Sequence, residues 1–174
     1  MAASLSDSGN IPVEDIKKSL ILSELSYYHP EEFKLGLTKQ RIIYSDDAFE
    51  FINNEQHSTQ LYTFISYDVC YVVFRGSQEP LDFLSDSRMG YTNMNVGEGV
   101  KVHKGFLMQY EPVKEELHTF LDSHAEEYAS IVFTGHSLGA ALATLASVSY
   151  VDHQRVLEWQ QKVVKLYNFG SPRY

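Results

Sequence analysis

The chain has 174 residues, 44% of them hydrophobic and 13% aromatic, which suits one folded domain with a sizeable core and excludes disorder of the whole. A formal net charge of -9 argues against nucleic acid as the main partner and gives no overall basic attraction to anionic lipid, while a neutral lipid or small ester stays compatible. The single cysteine, Cys70, cannot form an internal disulfide and lies in the apolar run Val69-Cys70-Tyr71-Val72-Val73-Phe74, so it reads as a buried small hydrophobe. Residues 1–12 read as a flexible N-terminus. They show no basic region followed by an apolar stretch, and no run of about 18 apolar residues occurs anywhere. The sequence looks neither secreted by a signal peptide nor membrane-spanning, and the expected location is cytoplasmic or peripheral to membranes.

From Val13 onward, Ile16, Leu20, Ile21 and Leu25 recur at helical spacing, which predicts an amphipathic helix over residues 13–28, closed by His29-Pro30. Phe33 to Tyr44 reads as a short helix and a strand start, and Ala48 to Ile52 as an apolar patch of either kind. Residues 60–66 and 68–74 are dense in β-branched and aromatic side chains around Tyr67-Asp68, which predicts a two-strand hairpin. The continuous apolarity of the second strand implies burial on both faces, up to Arg75-Gly76-Ser77. Residues 78–100, with Gly90, Asn93, Gly97 and Gly99, read as mostly loop with one helical turn near Leu81 to Asp86. Gly105 to Tyr128 reads as a long helix with Phe106, Tyr110, Val113, Leu117, Phe120 and Leu121 along one stripe. A strand over 130–134, a helix over 138–151 and a strand over 162–169 follow. The order after residue 60 is that of helices crossing over a mostly parallel sheet.

The stretch Gly135-His136-Ser137-Leu138-Gly139 has the G-x-S-x-G pattern of a nucleophile elbow. The spacing is steric in origin: a serine on a sharp strand-to-helix turn has a strained backbone, and no side chain fits two residues to either side. The β-branched run before Gly135 and the Ala- and Leu-rich run after it supply strand, turn and helix in the required order.

Four segments in order resemble the class 3 lipases, the fungal-type triacylglycerol lipase family. They are Val73-Phe74-Arg75-Gly76-Ser77, Val102-His103-Lys104-Gly105-Phe106, Thr134-Gly135-His136-Ser137-Leu138-Gly139-Ala140-Ala141-Leu142-Ala143, and Asn168-Phe169-Gly170-Ser171-Pro172-Arg173. The resemblance covers residues 60–174 and implies an α/β-hydrolase fold, the N-terminal portion of a mostly parallel sheet with flanking helices, whose C-terminal strands and helices are absent. It implies one lipase-like domain over residues 13–174, C-terminally incomplete. It makes Ser137 the nucleophile of a carboxylic ester hydrolase and gives the oxyanion to the N–H of Leu138 and to Ser77, whose hydroxyl can add a third donor. Leu81, Phe83 and Leu84 fall where the family has its lid. Phe83 stands where relatives usually have Trp, Ser87 where they have an apolar residue, and Ala140 where a second Gly is more usual.

A serine hydroxyl needs a base and an orienting acid, in this fold in the chain order Ser, Asp or Glu, His. After Ser137 only Asp152-His153 offer that order. A helix running on from the elbow would carry His153 roughly 22 Å away at ~1.5 Å per residue, so the pair reads as a helix end. His136 is, in the family, a buried hydrogen-bonded residue pointing away from the site, and His103 is structural or near the lid. His57, His118 and His124 read as surface histidines. The family takes its Asp and His from beyond the Gly-Ser-Pro-Arg strand, so the chain is expected to lack both. The expected partner is an acylglycerol or other lipid ester, compatible with peripheral contact with a lipid surface; no nucleic acid, cofactor or metal is expected. The alternative is a non-catalytic lipase-like binding module.

Overall fold

The computed structural model describes residues 13–77, 90–94, 96, 100–157 and 161–172. Its centre is a five-stranded sheet of β1 (Phe49–Asn54), β2 (Thr59–Ser66), β3 (Val69–Phe74), β6 (Ser130–His136) and β7 (Val163–Phe169), hydrogen-bonded in that order. β1, β2 and β3 form an antiparallel meander, and β6 and β7 then add in parallel, so that β2 alone runs against the other four. Tyr67 and Asp68 form the two-residue turn of the expected hairpin, with Ser66 opposite Val69. Asp68 also accepts the backbone N–H groups of Ala129 (2.8 Å) and Ser130 (3.3 Å), which holds the start of β6 against the hairpin tip.

The apolar runs divide by period two into two cores. Cys70, Val72 and Phe74 of β3 join Ile131 and Phe133 of β6 under α3 (Lys104–Ser123) and α4 (Leu138–Val156). Tyr71 and Val73, with Val132, face the other way, under α1 (Val13–Leu25) and α2 (Pro30–Lys39). Burial on both faces is what the unbroken apolar sequence of β3 implies. The stripe expected on the long helix lines the first core: Phe106, Tyr110, Val113, Leu117, Phe120 and Leu121 are all buried. That helix ends earlier than expected, at Ser123, and a single 3-10 turn, Ala125–Glu127, covers the remainder.

The first helix departs from its reading. It stops at Leu25, and His29-Pro30 opens α2 instead of merely closing α1, because Pro30 at a first helical position forgoes an N–H that would lack a partner anyway. The Glu32 carboxylate accepts the N–H of His29 at the same junction (3.4 Å). The buried face of α1 is Ser19, Leu22 and Ser23, continued by Ser26 just past the helix end, whereas Val13 and Leu20 are exposed. Small hydroxyl residues let the helix lie close over β6. The Ser23 hydroxyl stands 3.0 Å from that of Thr134, and Thr134 in turn donates to the Tyr167 carbonyl (2.8 Å).

Within residues 78–100, expected to be loop, β4 (Tyr91–Asn93) pairs antiparallel with β5 (Lys101–His103). Strands of three residues are too short for an alternation to show in sequence. Residues 1–12 and the helical turn near Leu81 to Asp86 lie outside the described residues.

Candidate active site

β6 ends at His136 and α4 begins at Leu138, so Ser137 alone makes the turn. It does so at φ 55° and ψ -124°, a conformation that L side chains rarely adopt and that costs about 1–3 kcal/mol. Neighbouring chain holds it there. The Ser137 N–H donates to the Phe169 carbonyl at the end of β7 (2.9 Å), and its carbonyl accepts from Ala140 (3.0 Å). The two elbow glycines answer to different neighbours. A Cβ on Gly135 would lie 2.4 Å from the carbonyl carbon of Gly139, and one on Gly139 would lie 2.4 Å from the Phe74 carbonyl oxygen. Gly135 thus lets strand and helix meet, and Gly139 lets the helix press against the end of β3.

That contact brings the Arg75-Gly76-Ser77 segment beside the elbow. Ser77 and Leu138, distant in sequence, line one cleft of about 400 Å³ together with Gly76, Arg75 and Gln60. Arg75 is pinned by its guanidinium to the Gln60 side-chain oxygen (2.8 Å) and by its N–H to the Gln60 carbonyl (3.0 Å). Leu138 opens a helix of 19 residues, whose first N–H groups have no partner within the helix and carry the positive end of its dipole. A larger cleft, of about 710 Å³, lies at the opposite end of the sheet, where Asp47, Glu50, Glu115 and Glu116 give it acidic walls. There burial and the Glu116 charge raise the pKa of Glu50.

All seven histidines of the chain lie among the described residues, and none is hydrogen-bonded to the Ser137 hydroxyl. His103 accepts the Gly105 N–H and so caps α3, and His57 bonds to the Asn54 side chain. His124 bonds to the Phe120 carbonyl. His153 pairs with Asp122 of α3 at 2.7 Å, on the helix that leads away from the elbow, in keeping with its reading as a helix end. Two expectations need correction. His118, expected at the surface, is buried at the joint of α3 and α4, with Tyr110 and Ser149 hydroxyls each 3.4 Å from Nε2. Its stripe position between Leu117 and Phe120 turns it inward. His136, expected to be buried, is exposed, although hydrogen-bonded through Nδ1 to the Tyr27 hydroxyl (2.9 Å). It is the last residue of its strand, and its ring lies over Gly170, which has no side chain to cover it.

The lid candidates Leu81, Phe83 and Leu84 lie outside the described residues. Among the described residues no group of three His, Cys, Asp or Glu side chains is placed to hold a metal ion. No described helix is long and apolar enough to cross a membrane. Sequence reasoning missed Tyr27 and the Phe169 carbonyl. The latter left a signal, since a strand ending in Asn168-Phe169-Gly170 must reach the elbow for its backbone to be useful there.

A strand, a one-residue strained serine turn and a buried helix, on a sheet with helices on both faces, define an α/β-hydrolase. The sequence model of the class 3 lipase family matches residues 71–174. The chain belongs to that family. It is 35% identical to a lipase of Rhizomucor miehei over 105 residues, which is 59% of this chain and 28% of the relative. It is 32% identical over 120 residues to a chloroplastic phospholipase A(1) of Arabidopsis thaliana, covering 59% of this chain and 26% of that one. Among solved structures, a Rhizomucor miehei lipase propeptide complex superposes with a TM-score of 0.74 at 23% identity, over 95% of this chain and 54% of that one. A triacylglycerol lipase whose catalytic centre is described as a serine protease triad gives 0.68 at 22% identity, over 84% and 58%. The chain therefore aligns to under a third of the length of these curated relatives and spans little more than half of these solved structures.

Proposed function

We propose that Ser137 is the nucleophile of a hydrolase that cleaves the carboxylic ester bonds of acylglycerols or related lipids. The observation that carries this reading is the Ser137 backbone, strained at φ 55° between two glycines whose hydrogens are the only groups that fit. In this reading the Ser137 oxygen attacks the ester carbonyl carbon. The charge that develops on the carbonyl oxygen is met by the N–H of Leu138 and by Ser77, which share a cleft. The alcohol then leaves, and water releases the fatty acid from the acyl-enzyme. Loss of one oxyanion donor costs about 2.7–4 kcal/mol of barrier in such sites.

The proton of Ser137 needs a base that the described histidines do not provide. The proposal therefore assigns the Asp and His to a segment beyond these 174 residues, in keeping with the fraction of its relatives that the chain spans. Fluorophosphonate labelling of the natural full-length product tests this, with Ser137→Ala as control. Label on Ser137 that the control lacks is the expected result. A folded product that takes no label sinks it, and favours a lipase-like module that binds acyl ligands without cleaving them; the absence of an imidazole bonded to Ser137 is what supports that second reading. Hydrolysis that rises on adding a lipid interface would separate a lipase from an esterase of small soluble substrates.

A further inference from the structure

Tyr27 lies outside the segment that the family model matches, yet it meets both halves of the candidate site. It follows α1, where its N–H donates to the Glu24 carbonyl (3.3 Å), so the position of its ring is set by the helix end. Its hydroxyl is 2.9 Å from His136 Nδ1, with the two rings 6.1 Å apart. On the other side it touches Gly76: a Cβ there would lie 2.2 Å from the Tyr27 hydroxyl and 2.5 Å from the His136 carbonyl oxygen. His136 precedes Ser137, and Gly76 precedes Ser77. One phenol oxygen thus sits where the end of β3 and the end of β6 come within contact of each other.

We propose that Tyr27 is a positioning residue that clamps the Gly76-Ser77 backbone to the His136-Ser137 backbone, and so sets the distance between nucleophile and oxyanion donors. The physical need is plain. The β3–β6 register ends at Phe74 and Gly135, and the two chains then part, β3 towards Ser77 and β6 towards the elbow. Burial raises the pKa of the Tyr27 hydroxyl, which keeps it a neutral donor and acceptor at the junction. Its catalytic arm rests on the nucleophile reading given above, whereas its structural arm does not.

The test compares the 174-residue chain with Tyr27→Phe, which removes only the hydroxyl, and with Tyr27→Leu, which removes the ring. The first readout is NMR. The Phe variant is expected to shift the His136 ring nitrogens and the Ser77 and Leu138 amides, and to speed exchange of those two amides on the order of five-fold, as loss of one hydrogen bond allows. The Cys70 amide, at the far end of β3, stays unchanged. Unshifted Ser77 and Leu138 amides in a folded Phe variant overturn the clamp. The second readout, in the natural full-length product, is the rate of Ser137 phosphonylation, expected to fall by a similar factor in its maximum rate at unchanged inhibitor affinity. An equal rate in parent and Phe variant overturns the positioning role, and so does a fall in affinity alone. A parent that takes no label refutes the nucleophile reading, and the amide readout then decides the clamp by itself.

Discussion

The Nε2 atom of His153 lies 2.7 Å from Oδ2 of Asp122, and the Tyr150 hydroxyl donates to the other carboxylate oxygen at 3.0 Å. The pair has the composition of a catalytic acid–histidine dyad in the wrong place. It bolts α4 to the C-terminal part of α3, and the helix between Ser137 and His153 separates them by roughly 22 Å. Asp122→Ala is therefore expected to destabilise the fold by about 2 kcal/mol, as loss of bonds to a charged partner does, with no change in Ser137 labelling. Urea denaturation reads the first and fluorophosphonate labelling the second. Loss of labelling in a folded variant would make the dyad catalytic.

The elbow is expected to hold its geometry at a thermodynamic cost. Ser137→Gly removes the side chain from a backbone at φ 55° and should raise stability by about 1 kcal/mol while abolishing labelling. Gly139→Ala should act oppositely, losing about 1–3 kcal/mol or more, because its new Cβ would lie 2.4 Å from the Phe74 carbonyl oxygen, which cannot yield without moving β3. Melting temperatures of the two variants on opposite sides of the parent would bear this out; a neutral Gly139→Ala would contradict it.

Burial, the neighbouring His153 and the Lys114 charge together push the pKa of His118 down to about 4 from 6.5. Its folded-state value lies below its unfolded one, so the unfolded chain binds the proton first as pH falls. The stability that neutral His118 contributes is complete above pH 6.5 and is lost as pH drops towards 4. The loss amounts to about 3 kcal/mol at most. In His118→Gln the dependence of urea midpoint on pH across that window should flatten; an unaltered slope would place the effect elsewhere.

Cys70 is 0% exposed, and burial raises its thiol pKa well above the ordinary range. The native chain should therefore not react with a thiol reagent at pH 8 over a time in which the urea-unfolded chain is fully modified. Equal reaction rates would mean that the first core opens readily.

The amino-acid order by itself determined the hairpin around Tyr67-Asp68, the inward stripe of α3, the two-sided burial of β3 and the serine turn between Gly135 and Gly139. Each is written in local periodicity or in a steric requirement at fixed spacing. It did not determine which face of α1 meets the sheet, because the Ser23 and Ser26 hydroxyls bond carbonyls three or four residues back in either case, and what draws Ser23 inward is Thr134, 111 residues away. Nor did it determine that β4 pairs with β5, or that His118 is buried at a helix joint. Tertiary structure alone decided that Tyr27 would stand between Gly76 and His136, since contacts among three segments far apart in the chain depend on how helix and sheet pack and leave no pattern in any one of them.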